Sequence, residues 1–207
     1  NPSLVGSEMC IRDSGNAGAL FMSKTYPRLL KFPQSRNIDN MVLVLVGASY
    51  QDVPLDGLNR LAAAEDGLAV RLVESDQGID GAVVLSTCNR FEIYLDINRF
   101  HDAIDTTTNT IAEIAALDKN FVVDAMRVVV GSSVSQHLFS VASGLESMVV
   151  GEDEIAGQVR KALATAQREG TTTPSLERLL QRALTTSKSV TLSLIHISEP
   201  TRLGFIA

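Results

Sequence analysis

The chain has 207 residues, 45% apolar and 20% charged, with a formal net charge of −6. That is enough apolar chain for one substantial core, and no uninterrupted apolar stretch approaches the roughly 20 residues of a membrane-spanning helix, so a cytoplasmic globular protein with no membrane partner is expected. The negative balance excludes a protein that grips nucleic acid with its whole surface, and two cysteines without neighbouring metal-ligand partners, Cys10 and Cys88, support neither a disulfide framework nor a zinc site.

The two ends stand apart from the rest. Leu4–Ser14 (LVGSEMCIRDS) and Leu192–Arg202 (LSLIHISEPTR) can be encoded by opposite strands of one DNA segment. Residues 1–14 and 192–207 are therefore expected to be adapter-like read-through, which removes Cys10 and His196 from functional consideration. Residues 15–40 show no hydrophobic period and are expected to be an upstream extension. Between Met41 and Thr191 lie 12 Lys and Arg against 20 Asp and Glu, so this part is more acidic than the whole.

Met41–Val46 (MVLVLV) is a continuous apolar run ending at Gly47, the pattern of a strand buried on both faces. Leu55–Glu74 carries apolar residues at helical spacing, with Gly67 as the break between two short helices. Gly81–Leu85 is a second short buried strand, and Phe91–Ile97 alternates, with Phe91, Ile93, Leu95 and Ile97 on one face. A helix is expected over Asp102–Ala116, a loop around Asp118-Lys119-Asn120, and a strand over Met126–Val130. From Ser132 the period becomes helical: Val134, Leu138, Val141 and Leu145 form one stripe, with Ser132 or Ser133 available as a cap. After an apolar loop at Ser147–Gly151, a stripe of Ile155, Val159, Ala162, Leu163 and Ala166 ends at Gly170. A last stripe of Leu176, Leu179, Leu180 and Ala183 starts after Thr173-Pro174, where proline suits a first helical turn. The fold class is α+β: a ferredoxin-like sheet-and-helix domain over residues 41–131, followed by a helical part over 132–191.

Cys88 lies between two strands in the polar turn Ser86-Thr87-Cys88-Asn89-Arg90. A strand end is a rigid platform for a nucleophile, and a neighbouring guanidinium favours the thiolate. From position alone an inert buried thiol is the commoner outcome, but a polar cluster between two apolar strands is costly unless it faces a cleft. His137 sits in a helical stripe, where a lone histidine is more often structural. Glu146, Glu152, Asp153 and Glu154 read by themselves as a solvated acidic cluster. Arg160, Lys161, Arg168, Arg178, Arg182 and Lys188 give the last two helices a basic face that suits phosphates, with an ordinary solvated surface as the commoner alternative. No Gly-rich dinucleotide fingerprint is present, so no cofactor site is expected within the chain, and no metal site either.

Two longer blocks carry a resemblance. VVLSTCNRFEIYL (Val83–Leu95) and HLFSVASGLESMVVGEDEIAGQVRKA (His137–Ala162) resemble, in the right order, the S-T-C-N-R turn and the V-A-S-G-L and G-E-x-x-I-x-G-Q-V elements of glutamyl-tRNA reductases. The similarity covers Met41 to about Thr191, roughly the first third of a typical member. It implies that Cys88 attacks the ester of glutamyl-tRNA to form a thioester, which NADPH, bound by a domain outside this stretch, reduces to glutamate-1-semialdehyde for tetrapyrrole synthesis. It also implies Arg90 as the holder of the substrate carboxylate, and Thr87, Asn89, Ser147, Glu152, Asp153, Glu154 and Gln158 as the lining of the glutamate pocket. His137 matches a family histidine, acting as a base or a positioning group. Implied partners are glutamyl-tRNA, a second copy in a full-length homodimer, and a downstream aminomutase.

Two local departures accompany the match. Many members read Asn-His-Lys or Asn-His-Arg and then Ala-Pro after the first strand, where this chain has Ser49-Tyr50-Gln51-Asp52-Val53-Pro54, and Glu152-Asp153-Glu154 stands in place of a common Glu-Pro-Gln. The competing expectations are a non-catalytic tRNA- or protein-binding module of the same fold, and an unrelated cysteine hydrolase with a base beside the thiol.

Overall fold

The apolar run that opens the described residues forms β1 (Val42–Ser49), a strand in the interior of a four-stranded sheet. The computed structural model describes residues 42–75, 77–146 and 154–198, with side chains to residue 188. After β1 come α1 (Leu55–Ala62), α2 (Leu68–Glu74), β2 (Ile79–Ser86), β3 (Arg90–Ile97), α3 (Phe100–Ile114), α4 (Lys119–Ala125) and β4 (Arg127–Val130). Three further helices follow: α5 (Ser132–Ala142), α6 (Glu154–Glu169) and α7 (Pro174–Ser198). The strand order is β2-β3-β1-β4 with every pair antiparallel. Two split β-α-β units, each built here with a pair of helices, give this ferredoxin-like arrangement, as expected.

The uninterrupted apolar run of β1 follows from having helices on both sides of the sheet. Val44, Val46 and Ala48 face a core closed by α1 to α4, through Leu58, Leu61, Leu68, Leu72, Ile104, Ile111 and Val122. Leu45 faces the opposite way, into a second core with Val83, Leu85 and Tyr94 of the sheet and Val134, Leu138, Val159, Leu163, Leu176 and Leu180 of α5 to α7. The helical last third thus covers the second face of the sheet. Each fully buried aliphatic side chain here contributes on the order of 1.5–3 kcal/mol relative to exposure.

Three local expectations change. The segment at Asp118-Lys119-Asn120 begins a helix rather than a loop, because the Asp118 carboxylate accepts hydrogen bonds from the Asn120 and Phe121 amides and so caps α4. Neither Ser132 nor Ser133 caps α5. β4 runs directly into that helix through Gly131, at φ 69° and ψ −135°, a conformation that glycine adopts without steric cost. Leu145 lies outside the helical stripe and is exposed: Gly144, at φ 71°, ends α5 with the Gly144 amide donating to the Val141 carbonyl and the Leu145 amide to that of Ser140.

The turn between α6 and α7 ties the second layer to the sheet. The Ala82 amide on the outer edge of β2 donates to the Thr171 carbonyl (2.7 Å). Thr173 accepts from the Leu176 amide through Oγ1 (3.3 Å), capping α7, and its hydroxyl donates to Oδ2 of buried Asp96 on β3 (2.6 Å). Burial pushes the Asp96 carboxyl up, an effect the Thr173 hydroxyl partly opposes, and Oδ1 has no partner. Thr173→Val removes a helix cap and leaves both Asp96 oxygens unpaired. It is expected to lower unfolding free energy by about 2 kcal/mol in a urea titration; a loss below about 0.5 kcal/mol would show that the bridge is not structural.

Candidate active site

The β2–β3 turn is held by backbone bonds rather than by packing. The Thr87 amide donates to the Arg90 carbonyl (2.9 Å), and the Tyr50 amide, from the end of β1, donates to the Asn89 carbonyl (2.9 Å). Inside the turn, the Asn89 amide donates to Thr87 Oγ1 (3.2 Å). Cys88 is exposed at the tip, so the reading of a buried inert thiol does not hold. Thr87 and Asn89 flank it, half-buried.

β3, which leaves this turn, carries a carboxylate with no solvent exposure, Glu92. β3 alternates, and the side opposite Phe91, Ile93 and Leu95 carries Arg90, Glu92, Tyr94 and Asp96, all buried under α5 to α7. Glu92 Oε1 accepts from Arg90 Nη1 (3.0 Å) and lies 2.8 Å from His137 Nε2, while Oε2 accepts from the Tyr94 hydroxyl (2.7 Å). Burial alone would raise the Glu92 pKa. The His137 hydrogen bond, the charges of His137 and Arg90, and the Tyr94 hydroxyl outweigh it and bring the value down to about 2. Burial and then Glu92 itself push the Tyr94 phenol up, so it stays a donor. With Glu92 ionised, His137 donates from Nε2, and among the described residues its Nδ1 makes no hydrogen bond.

Gly47 makes room for this group. It pairs with Glu92 across β1 and β3, and a Cβ there would stand 2.8 Å from Glu92 Cγ and 2.9 Å from the Phe91 carbonyl oxygen. Arg90 is fixed from a second direction, since Nη2 donates to the Glu146 carbonyl (2.8 Å). Among the described residues no hydrogen bond or ion pair joins Arg90 to Cys88; the guanidinium is held by Glu92 and Glu146.

Of the residues expected at a site, Thr87, Cys88, Asn89 and Arg90 share one turn, and His137 joins them through Glu92. Glu154 is exposed at the start of α6. Gln158, one turn on, lines a cleft of about 210 Å³ together with Ser86, Lys161, Glu65 and Asp66. Ser147, Glu152 and Asp153 lie outside the described residues. The sequence reading passed over Glu92 and Tyr94. Their signal was available in β1: a neighbour strand apolar on both faces implies that the polar face of β3 is covered as well. Among the described residues no cluster of His, Cys, Asp or Glu could hold a metal ion, and no helix is long and apolar enough to cross a membrane.

Comparison with known proteins gives a consistent picture. A family profile described as "Glutamyl-tRNAGlu reductase, N-terminal domain" matches residues 46–193. The chain is 42% identical over 169 residues to a glutamyl-tRNA reductase of Tropheryma whipplei (strain Twist), covering 79% of this chain and 36% of the relative. It is 42% identical over 154 residues to one of Clavibacter michiganensis subsp. michiganensis, covering 72% and 35%. Among solved structures, a glutamyl-tRNA reductase from Methanopyrus kandleri superposes with a TM-score of 0.62 at 34% identity, over 73% of this chain and 34% of that one. The chain thus spans about a third of the length of the curated relatives it matches.

The Glu92 network sets an acid-side stability limit. A carboxyl held at about 2 against an ordinary 4.5 contributes stability that is complete above about pH 4.5 and is lost as pH falls through 2. Glu92→Gln, which breaks a buried ion pair from one side, is expected to cost roughly 3 kcal/mol at neutral pH, with the two proteins converging by about pH 2. Urea unfolding measured across this range checks it; parallel pH profiles for the two proteins would contradict the assignment.

Proposed function

Because the chain belongs to the glutamyl-tRNA reductase family through that family's N-terminal domain, we propose that it binds the glutamyl end of glutamyl-tRNA and that Cys88 attacks the ester carbonyl. The bond from Sγ to the carbonyl carbon forms, the ester bond from that carbon to the ribose oxygen breaks, and the thiol proton passes in net to the departing tRNA hydroxyl. One displacement is thereby split into an acylation and a later step on an activated thioester. The observation that carries this reading is an exposed cysteine on a turn fixed by backbone bonds, two residues before the Arg90 of a buried Arg90–Glu92–His137 network, within the span that matches the family.

Roles for the individual residues follow. The resemblance assigns Arg90 to the glutamyl side-chain carboxylate; since Nη1 and Nη2 are bonded to Glu92 and to the Glu146 carbonyl, a carboxylate held there shares or displaces the Glu146 contact. The resemblance assigns Thr87, Asn89, Glu154 and Gln158 to the glutamyl pocket, together with Ser147, Glu152 and Asp153, which lie outside the described residues. His137 acts as a positioning group, because its ring is anchored to Glu92 and among the described residues no hydrogen bond joins it to Cys88. In the full-length protein, the acyl group is the one that becomes glutamate-1-semialdehyde, the opening step of tetrapyrrole synthesis, with a homodimer and a downstream aminomutase as partners.

The family implies NADPH, which supplies hydride when bound. The described residues do not fit it: glycines of positive φ (Gly67, Gly78, Gly131, Gly144 and Gly170) stand at separate turns, the sheet is antiparallel, and no Gly-rich turn leads from a parallel strand into a helix. No step through NADPH is therefore assigned to these residues.

Incubation with tRNA carrying radiolabelled glutamate is expected to give a protein adduct that hydroxylamine releases and that Cys88→Ser abolishes. An adduct surviving Cys88→Ser would remove Cys88 as nucleophile. Salt-sensitive tRNA binding with no adduct, and with Cys88 inert to iodoacetamide, would instead support the non-catalytic binding module.

A further inference from the structure

We propose that Arg127 is a second anchor for the side-chain carboxylate of the glutamyl group, acting beside Arg90; the inference rests on the function proposed above. Arg127 opens β4 and pairs with Gly47 of β1, which in turn pairs with Glu92 of β3. Strands two apart are separated by about 9–10 Å, and a middle side chain would normally stand between them. Gly47 has none, so Arg127 leans across it and brings Nη2 to 3.9 Å from Glu92 Oε1.

That position leaves the guanidinium unsatisfied. Its other ion pair, Nε to Asp52 Oδ2, is 3.7 Å long, and both distances exceed a hydrogen bond. The carboxylates it approaches are already engaged. Asp52 Oδ2 accepts from the Ser49 amide (2.8 Å) and hydroxyl (2.7 Å), and Glu92 accepts from Arg90, His137 and Tyr94. Among the described residues Arg127 Nε is buried with no hydrogen-bond acceptor, a condition that in native proteins calls for a further partner. Arg90 differs on each count, with 2% exposure and both terminal nitrogens bonded, whereas the Arg127 side chain is 19% exposed. The fitting ligand is planar and anionic, with two oxygens for a guanidinium fork, and it must lie within reach of the Arg90–Glu92 cluster. The side-chain carboxylate of a glutamyl ester bound for Cys88 meets all three requirements.

The test compares the 207-residue chain with Arg127→Gln and Arg127→Lys, using glutamyl-tRNA and the same tRNA mischarged with glutamine, whose side chain is neutral. Arg127→Gln is expected to raise the half-saturating glutamyl-tRNA concentration for Cys88 acylation about tenfold, with the maximal rate within about twofold. The preference for glutamyl- over glutaminyl-tRNA should fall by a similar factor, and Arg127→Lys, which keeps the charge without the fork, should recover part of it. An unchanged preference, or equal loss with both tRNAs as a phosphate contact or a purely structural role would give, overturns the assignment. Filter binding of both tRNAs to a Cys88→Ser background reads the preference without acylation, so failure of the thioester reading and failure of the anchor give separate results. Thermal melts identify a misfolded Gln variant, in which case the Lys variant carries the comparison.

Discussion

A carboxylate cut off from water must be neutralised where it sits, and Glu92 imposes that condition on everything around it. Removing such an ion from solvent costs several kcal/mol, recovered only when each oxygen finds a well-placed donor. Here the donors come from two elements: Arg90 and Tyr94 from the same strand, and His137 from α5. Since Val134, Leu138 and Val141 bury the same side of α5 that carries His137, seating the helix and completing the network are one event. An enzyme-like cluster and the second hydrophobic core are consequently assembled by the same contact.

The rest of the second face accommodates this polar group through absence as much as presence. Gly47 leaves the hollow that Glu92 fills, and the same missing side chain lets a cation approach from β4. At the other end of β3, Asp96 is tied to the start of α7 through one threonine, and Gly81 lets that helix come close, with a Cβ there standing 2.7 Å from Thr173 Cγ2. Two buried acids on one strand face, each opposite a point where the neighbouring element lacks bulk, show how charge was fitted into a layer that is otherwise aliphatic.

Much of the fold was legible because it rests on period and punctuation. The all-apolar run of β1, the alternation of β3, the Gly67 break and the Pro174 start each correspond to an element. α4 was missed because seven residues are too few for a convincing period, and only its Asp118 cap betrayed it. The site was less legible. Spacing alone favoured an inert Cys88, and its exposure depends on a turn pinned by Tyr50 from a distant strand end, which no local pattern encodes. Glu92 carries no local mark of burial, since an alternating strand reads as half-solvated until the helices that cover it are placed, and nothing in the short run RVVV of β4 shows that Arg127 reaches across Gly47. The resemblance to a family singled out Cys88; the fold shows the buried network that holds the neighbouring strand.

The carbonyl of Thr171 that closes the edge of β2 has a consequence in time. The described strands are complete once residue 130 has been made, but the cover of the second face, and the Thr171 carbonyl that bonds that edge, come from chain synthesised afterwards. At ordinary elongation rates the sixty or so residues that follow take roughly 3–12 s. During that interval a nascent sheet would display an open strand edge and an unshielded aliphatic surface with Glu92 in its middle. Burying that surface against another unfinished chain would desolvate Glu92 before His137 is in place, at a cost of several kcal/mol, so the carboxylate that anchors α5 also disfavours such stacking while the helices are being made.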